Sequence, residues 1–293
     1  MLTGNIRRRG VGVNPLRGQN NVQGACDMGA FPHEYTGYRH VSDDSTRQLF
    51  EGAWGVKLDH EPGLRIPNML DAAVEGTFKG LYVQGEDIAQ SDPNTKHVTA
   101  GLAAMECVVV QDLFLNETAM YAHVFFPGSS FLEKDGTFTN AERRISRVRP
   151  ALPPLGEARH DWDILSDFAR RLEIAMPDLT RHYLPGVESL FNYDKPETIW
   201  NEHRESTRGR DLDITGLSYD ILEGQGPQQW PMPEGATQGR QRLYADGVYP
   251  TSTGKAQFAT VALQPLAEER DASFPFTLNT GRLRDQWHGM SRT

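Results

Sequence analysis

The chain has 293 residues, a length that accommodates one large domain or two ordinary ones. Its 39 Asp and Glu outnumber its 30 Lys and Arg, and the arginines are dispersed, which argues against nucleic-acid binding. No apolar run approaches the roughly 20 residues that span a bilayer, and the N-terminus lacks the apolar region of a signal peptide.

The first informative segment, residues 13–29, reads VNPLRGQNNVQGACDMG and contains one arginine, five side-chain amides and three glycines. Amides carry both donors and acceptors, and glycines let the backbone approach a ligand closely. The segment therefore suits a flat polar ring such as a purine or a pterin. The alternative is an ordered turn whose amides bond its own backbone, and composition leaves both interpretations open. We call residues 17–29 the Arg17 turn.

Short apolar runs at residues 80–83, 107–110 and 124–127 predict three buried strands. Residues 70–74 predict the end of a helix, and residues 94–105 predict a crossover helix between the first two strands. This alternation predicts an α/β domain over residues 1–150, with a parallel sheet flanked by helices. Cys107, in the second run, is expected to be a buried small apolar side chain.

Polar residues follow the first two predicted strands. In open α/β sheets, ligands bind beyond the carboxyl ends of the strands. Asp87 suits a guanine, because a carboxylate can accept from both the ring N1–H and the exocyclic amine of that base. A plain solvated turn is the alternative at residues 86–87. The candidate binding residues, which we call the strand-end cluster, are Gly85, Glu86, Asp87, Ser91, Gln111 and Asp112.

The second half of the chain predicts a helical and loop connector over residues 151–247. Residues 150–154 contain three prolines and predict a linker. Residues 161–172 predict an amphipathic helix that packs, residues 196–204 a second helix, and residues 223–239 a loop. Residues 254–258 and 274–278 look like strands of a further domain over residues 248–293, but two strands cannot close a barrel.

The Arg17 turn closely resembles a segment of the catalytic subunit of molybdenum- or tungsten-dependent formate dehydrogenases, in the dimethyl-sulfoxide-reductase superfamily. The resemblance continues at residues 83–87, 110–119, 133–144 and 279–288, and it fails mainly between about 177 and 247. It implies the middle-domain fold of those enzymes, followed by the connector and the truncated start of a β-barrel-like C-terminal domain. We therefore expect the chain to be an internal fragment of a much longer subunit.

The resemblance also implies residue roles. Arg17 would hold formate beside the metal, since a guanidinium fork matches a planar carboxylate. The alternative for Arg17 is a structural ion pair with Asp27 or Asp43. The strand-end cluster would hold the guanine and ribose of a bis-molybdopterin guanine dinucleotide with molybdenum or tungsten. The residues implied to contact the pterin are Gly18, Gln19, Gln23, Arg282, Gln286, Trp287 and His288.

Other parts implied by the resemblance are missing from this sequence. The metal-ligating cysteine or selenocysteine and the cysteines of the 4Fe-4S clusters lie in an N-terminal region of the family that has no counterpart in this chain. Cys26 and Cys107 cannot ligate a cluster alone, and their distance in sequence fits a reducing cytoplasm. We expect no metal ligand in this chain and no activity from it alone. Electrons would leave through clusters, with an iron–sulfur or flavin subunit that reduces NAD as a possible partner.

One position departs from the family, because His123 stands where an aspartate is usual. We expect it to be a structural residue with satisfied hydrogen bonds. Two rival functions stay open. Residues 280–288 also resemble assimilatory nitrate reductase catalytic subunits, and a non-catalytic subunit could keep this fold without the chemistry.

Overall fold

The computed structural model describes residues 5, 8, 10–13, 15, 17–266, 268–279 and 281. The chain forms two units, of which the larger is Asn14–Gln241 and the smaller combines Met1–Val13 with Arg242–Thr293. The smaller unit is held partly by Arg242, whose guanidinium donates to the carbonyl oxygens of Arg8 at 3.0 Å and Val11 at 3.1 Å. All described helices and strands belong to the larger unit.

The larger unit combines α-helices with short strands. The α-helices are α1 (Val22–Asp27), α2 (Asp44–Trp54), α3 (Ile66–Val74), α4 (Ile88–Ser91), α5 (Thr95–Ala104), α6 (Asp161–Ala175), α7 (Pro196–Ser206) and α8 (Tyr219–Gln225). The strands are β1 (Glu34–Tyr35), β2 (Arg39–His40), β3 (Gly80–Gln84), β4 (Cys107–Asp112), β5 (Val124–Pro127), β6 (Gly136–Thr139), β7 (Arg144–Val148) and β8 (Gln228–Gln229). Short 3₁₀ helices cover Thr118–Tyr121, Phe131–Glu133 and Pro177–His182.

A three-stranded parallel sheet, in the order β3-β4-β5, carries the strand-end cluster. Gly80 pairs with Cys107 and Gln84 with Gln111, so β3 and β4 end at the same edge of the sheet. Parallel neighbours need a crossover, and α5 supplies it between β3 and β4. The predicted α/β arrangement and its three strands are confirmed.

The sheet is stabilised by a core that the apolar runs of the sequence create. Val98, Val108 and Val110 are fully buried, and Leu70 of α3 and Leu102 of α5 pack in the same cluster. Burial of each such side chain contributes roughly 1.5–3 kcal/mol. This core is what fixes the edge of the sheet at which the polar residues meet.

A second sheet, in the order β6-β7-β8, is antiparallel. The prediction of a loop over residues 223–239 is partly wrong, since α8 extends to Gln225 and Gln228 pairs with Ile145. The Ser218 side chain starts α8 by accepting from the backbone N–H of Ile221 at 3.2 Å. The pairing of β8 depends on a strand more than 80 residues away, which local composition does not reveal.

Two further predictions are wrong. Cys107 is exposed, because it is the first residue of β4 and lies at the amino edge of the sheet. The described residues of 254–258 and 274–278 form no strand, and Phe258, Phe276 and Leu278 are 61%, 89% and 93% exposed. A strand needs a hydrogen-bonded neighbour and a surface to cover, and these segments have neither among the described residues.

Candidate functional site

The Arg17 turn is fixed by inward-facing groups of α1. The side-chain oxygen of Asn21 accepts from the backbone N–H of Thr139 at 2.9 Å, which ties the turn to β6. A Cβ on Gly24 would lie 2.3 Å from that same oxygen, so a larger residue there would displace the Asn21 side chain. Gly29 has a φ of +81° and lies against the backbone of Tyr35. These glycines therefore serve the packing of the turn itself.

Arg17 is exposed, and its described contact is with the Cys26 thiol, to which the guanidinium Nη1 donates at 3.8 Å. Neither Asp27 nor Asp43 lies within ion-pair distance of Arg17 in the described part of the chain. Asp43 instead caps α2 by accepting from the backbone N–H of Thr46 at 2.8 Å. The fork of Arg17 is thus not occupied by a carboxylate of the described residues. Gly18 and Gln19 are exposed beside it.

Asp27, the last residue of α1, is the centre of a buried polar network. Its Oδ1 accepts from the Gln23 amide and the Tyr38 hydroxyl, both at 2.8 Å, and its Oδ2 accepts from the Trp230 indole at 2.9 Å. Burial raises the pKa of Asp27 to about 6, and the hydrogen bonds from Gln23, Tyr38 and Trp230 oppose that rise. Burial, and then the charge of Asp27, raises the pKa of Tyr38. The network carries one negative charge at neutral pH.

A cavity of about 210 Å³ adjoins this network. Asp27, Trp162, His203 and Tyr219 are among the residues that line it. Burial lowers the pKa of His203 to about 4, so its imidazole is neutral, and its Nδ1 shares a 2.6 Å hydrogen bond with the Thr36 hydroxyl. The Trp162 indole N–H and the Tyr219 hydroxyl are buried without a hydrogen-bond partner.

The strand-end cluster lies at the carboxyl edge of the parallel sheet. Gly85 has a φ of +62° and open space on its Cβ side, so the backbone there can be approached closely. Asp87 Oδ1 accepts from the backbone N–H and the hydroxyl of Thr118, at 3.0 and 2.7 Å. Asp112 accepts from Leu113 N–H at 2.6 Å and from the Asn116 amide at 2.9 Å. Both carboxylates are therefore oriented by protein donors.

Gln111 is fully buried and bonded at both ends of its amide. Its oxygen accepts from the Tyr82 hydroxyl at 2.5 Å, and its nitrogen donates to Asp161 Oδ1 at 2.7 Å. Asp161, the first residue of α6, also pairs with Lys134. A Cβ on Gly128 would lie 2.9 Å from Asp161 Oδ1, so glycine permits this close approach. Sequence reasoning took α6 only as a packing helix and missed Asp161, whose contact with Gln111 spans 50 positions.

The chemistry of the strand-end cluster is that of an acceptor-rich surface. Glu86 and Ser91 are exposed beside Asp87. Asp92 Oδ2, one residue beyond Ser91, is buried without a hydrogen-bond partner. Sequence reasoning did not single out Asp92. A ligand with several N–H donors on one edge, as guanine has, matches these acceptors.

The structure groups the candidate residues as two sets, the Arg17 turn and the strand-end cluster. Both reach the start of α6, where Asp161 bonds Gln111 and the next residue, Trp162, lines the cavity beside Asp27. His123 accepts from the backbone N–H of Val108 at 3.0 Å through Nδ1, which gives it a structural bond. The pterin-contact candidates Arg282, Gln286, Trp287 and His288 lie outside the described residues.

Neither a metal-binding cluster nor a membrane-spanning helix occurs among the described residues. No group of three or more His, Cys, Asp and Glu side chains is arranged to hold a metal ion there. No helix of that part of the chain has the length and apolar character needed to cross a bilayer.

The match to a family model and the identity to curated relatives agree with the sequence resemblance. The family model described as molybdopterin oxidoreductase matches residues 1–171. Over 98% of its length, this chain is 42% identical to the F420-dependent formate dehydrogenase subunit alpha of Methanocaldococcus jannaschii and 38% identical to the F420-dependent formate dehydrogenase 1 subunit alpha of Methanococcus maripaludis. It covers 40% of the length of each. The solved structure of acetylene hydratase from Pelobacter acetylenicus aligns with a TM-score of 0.48 at 17% identity, over 73% of this chain and 27% of that one.

Proposed function

This chain belongs to the molybdopterin oxidoreductase family, and from that premise we propose that it is part of the catalytic subunit of a formate dehydrogenase. The observation that carries the proposal is its 42% identity, over 98% of its length, to a formate dehydrogenase subunit alpha. Since the chain spans 40% of that relative, the activity belongs to the longer protein. The reaction is the oxidation of formate to carbon dioxide.

Arg17 is the proposed formate-binding residue. Formate is a small planar anion with two equivalent oxygens, and a guanidinium can donate to both at once. The structure supports this role because the described residues place no carboxylate within ion-pair distance of Arg17, while Cys26 holds one of its nitrogens. A lysine would keep the charge but lose the paired geometry.

The residues present also fit a molybdopterin guanine dinucleotide. Asp87, Glu86 and the neighbouring hydroxyl of Ser91 offer the acceptors that a guanine edge requires, and Gly85 leaves room for it. Gln111 would act by fixing this edge, since its amide already bonds Tyr82 and Asp161. When bound, the pterin-held molybdenum or tungsten supplies the two-electron redox chemistry.

The proposed pterin contacts come from the Arg17 turn and from the end of the chain. Gly18 and Gln19 are exposed and accessible to such a ligand. Gln23 is buried and its amide nitrogen is bonded to Asp27 and Tyr38, so only its oxygen would be available. Arg282, Gln286, Trp287 and His288 stay predictions.

Electrons are proposed to leave through 4Fe-4S clusters ligated elsewhere in the longer protein. The predicted acceptor is NAD, reduced by an iron–sulfur or flavin partner subunit in the cytoplasm. The names of the two F420-dependent relatives add F420 as a second acceptor to be tested.

The test is an assay of the full-length subunit with formate and with nitrate, using a redox dye. We expect formate-dependent dye reduction and no nitrate turnover. Arg17→Lys should raise the KM for formate at least tenfold, because the loss of a charge-assisted hydrogen bond amounts to ~1.5–3 kcal/mol. The matched control is Arg171→Lys, since Arg171 is an exposed arginine that pairs with Asp167 on α6. Nitrate turnover without formate turnover would show that the proposal is wrong.

A further inference from the structure

Asp27, which anchors the Arg17 turn, is next in sequence to Cys26, the residue that Arg17 contacts. Cys26 receives the Arg17 guanidinium, and Asp27 follows it as the last residue of α1. Whatever fixes Asp27 therefore fixes the position of the Cys26 thiol. A helix of six residues is too short to be stable by itself, so contacts with the rest of the larger unit contribute to its position.

The contacts of Asp27 reach three separate parts of the larger unit. Gln23 lies on α1 itself, Tyr38 lies between β1 and β2, and Trp230 follows β8. Tyr38 has a φ of +58°, a conformation that a side chain of this size adopts only when its surroundings impose it. In this conformation the Tyr38 hydroxyl donates to Asp27. Tyr38 and Trp230 thus locate α1 relative to two sheets.

Dense apolar packing does not replace these bonds on the cavity side. Asp27 lines the cavity of about 210 Å³, which means that few atoms press on α1 from that direction. The hydrogen bonds to the carboxylate restrain the end of the helix there, together with the backbone bonds that the carbonyl oxygens of Cys26 and Asp27 accept from Gly29 at 3.0 Å and Gly37 at 2.9 Å. The Asp27 carboxylate therefore adds side-chain restraints to the segment that carries Cys26.

Charged and titratable groups surround Asp27 on several elements, and Asp135 lines the same cavity. Arg17 attracts its negative charge, and Tyr38 and Cys26 stay protonated because burial raises their pKa values. His203, across the cavity, is neutral. Arg210 donates to the carbonyl oxygen of Tyr38 at 3.4 Å, and the Arg143 guanidinium lies 5.2 Å from the centroid of the Trp230 ring, so two further cations lie beside the donors of Asp27.

We propose that Asp27 is a positioning residue for formate binding: by accepting from Gln23, Tyr38 and Trp230 it fixes the turn that presents Arg17 to the substrate. This inference rests on the proposed function, since it requires that Arg17 binds formate. An ionised Asp27 can accept from all three donors. Its protonated or amide form loses acceptor capacity, and at least one donor must change its partner. The Arg17 turn then loses its single orientation.

The experiment compares Asp27→Asn with wild type in the full-length subunit over pH 5–8. In wild type, the KM for formate should rise as the pH falls through the titration of Asp27, while formate itself stays ionised. In Asp27→Asn, the KM should be raised about tenfold at pH 7.5 and should no longer change with pH on the acid side. The kcat should change less than twofold.

Asp43→Asn is the matched control, since Asp43 caps α2 with its carboxylate and asparagine caps equally well. It should leave the KM and its pH profile unchanged. An Asp27→Asn enzyme with unchanged KM, or with a lower KM because a repelling charge near formate has been removed, would overturn the inference. A proportional loss of kcat and kcat/KM would overturn it as well. Wild-type enzyme without formate turnover would instead show that the proposed function is wrong.

Discussion

Asp27→Asn is expected to raise the free energy of local unfolding around α1 at neutral pH, although the amide cannot accept from all three donors and so leaves the folded Arg17 turn less precisely oriented. Asp27 is 3% exposed, and burial raises its pKa from 3.8 to about 6. When folding raises the pKa of a carboxyl group, the folded state is more stable with that group protonated than with it ionised. Stability from this group is complete below pH 3.8 and is lost as the pH rises through about 6. An asparagine does not titrate and escapes this loss.

The magnitude follows from the size of the pKa shift. A shift of about 2 units corresponds to ~3 kcal/mol over the whole titration, at ~1.36 kcal/mol per unit. About 2 kcal/mol of this falls between pH 4.5 and 7.5, which is roughly a 25-fold change in an opening equilibrium. Because Asp27 is buried, solvent screening reduces this value little.

The assay is hydrogen–deuterium exchange with mass spectrometry on the intact subunit, read on the peptide that contains α1. The ratio of protection in Asp27→Asn to protection in wild type should increase roughly 25-fold from pH 4.5 to 7.5. Taking the ratio between the two proteins removes any effect of the asparagine amide that does not change with pH. A ratio that does not change with pH would show that burial does not destabilise the charged form of Asp27.

Two further substitutions test the strand-end cluster. Gly128→Ala should displace Asp161 from Gln111, because the new Cβ would lie 2.9 Å from Asp161 Oδ1, and should lower the free energy of unfolding by ~1–3 kcal/mol in urea titrations. The control is Gly52→Ala on α2, where a Cβ would meet no neighbour, and it should raise the free energy of unfolding by up to ~1 kcal/mol. A similar decrease of the free energy of unfolding in both variants would show that the close approach at Gly128 is not the cause. Asp87→Asn should lower the guanine nucleotide released per purified subunit at least tenfold at limiting cofactor; unchanged guanine content would exclude Asp87 from its binding.

The sheet could be predicted from the sequence because its signal is local. Runs such as residues 107–110 are apolar over consecutive positions, and any fold must bury them. Which polar residues end up at the sheet edge then follows from strand length alone. The partners of those residues do not follow, since Gln111 bonds Asp161 from 50 positions away. The prediction of C-terminal strands is wrong for a related reason. Apolar residues at 274–278 are compatible with a strand, but a strand forms only where a neighbouring strand provides hydrogen bonds.

Composition leaves two interpretations of the Arg17 turn open, a ligand-binding loop and an ordered turn with internal hydrogen bonds. In the structure, different residues of the turn fit each interpretation. Asn21 and Gln23 face inward and bond β6, Asp27 and Tyr38, as a self-satisfied turn would. Arg17, Gly18 and Gln19 face outward and are exposed. The amides that face inward need buried hydrogen-bond partners. The charged carboxylate of Asp27 is one of these partners, although its burial lowers the free energy of unfolding. An exposed arginine can be kept in one orientation for a small anion only if something beneath it is rigid, and in this chain that support is the buried carboxylate.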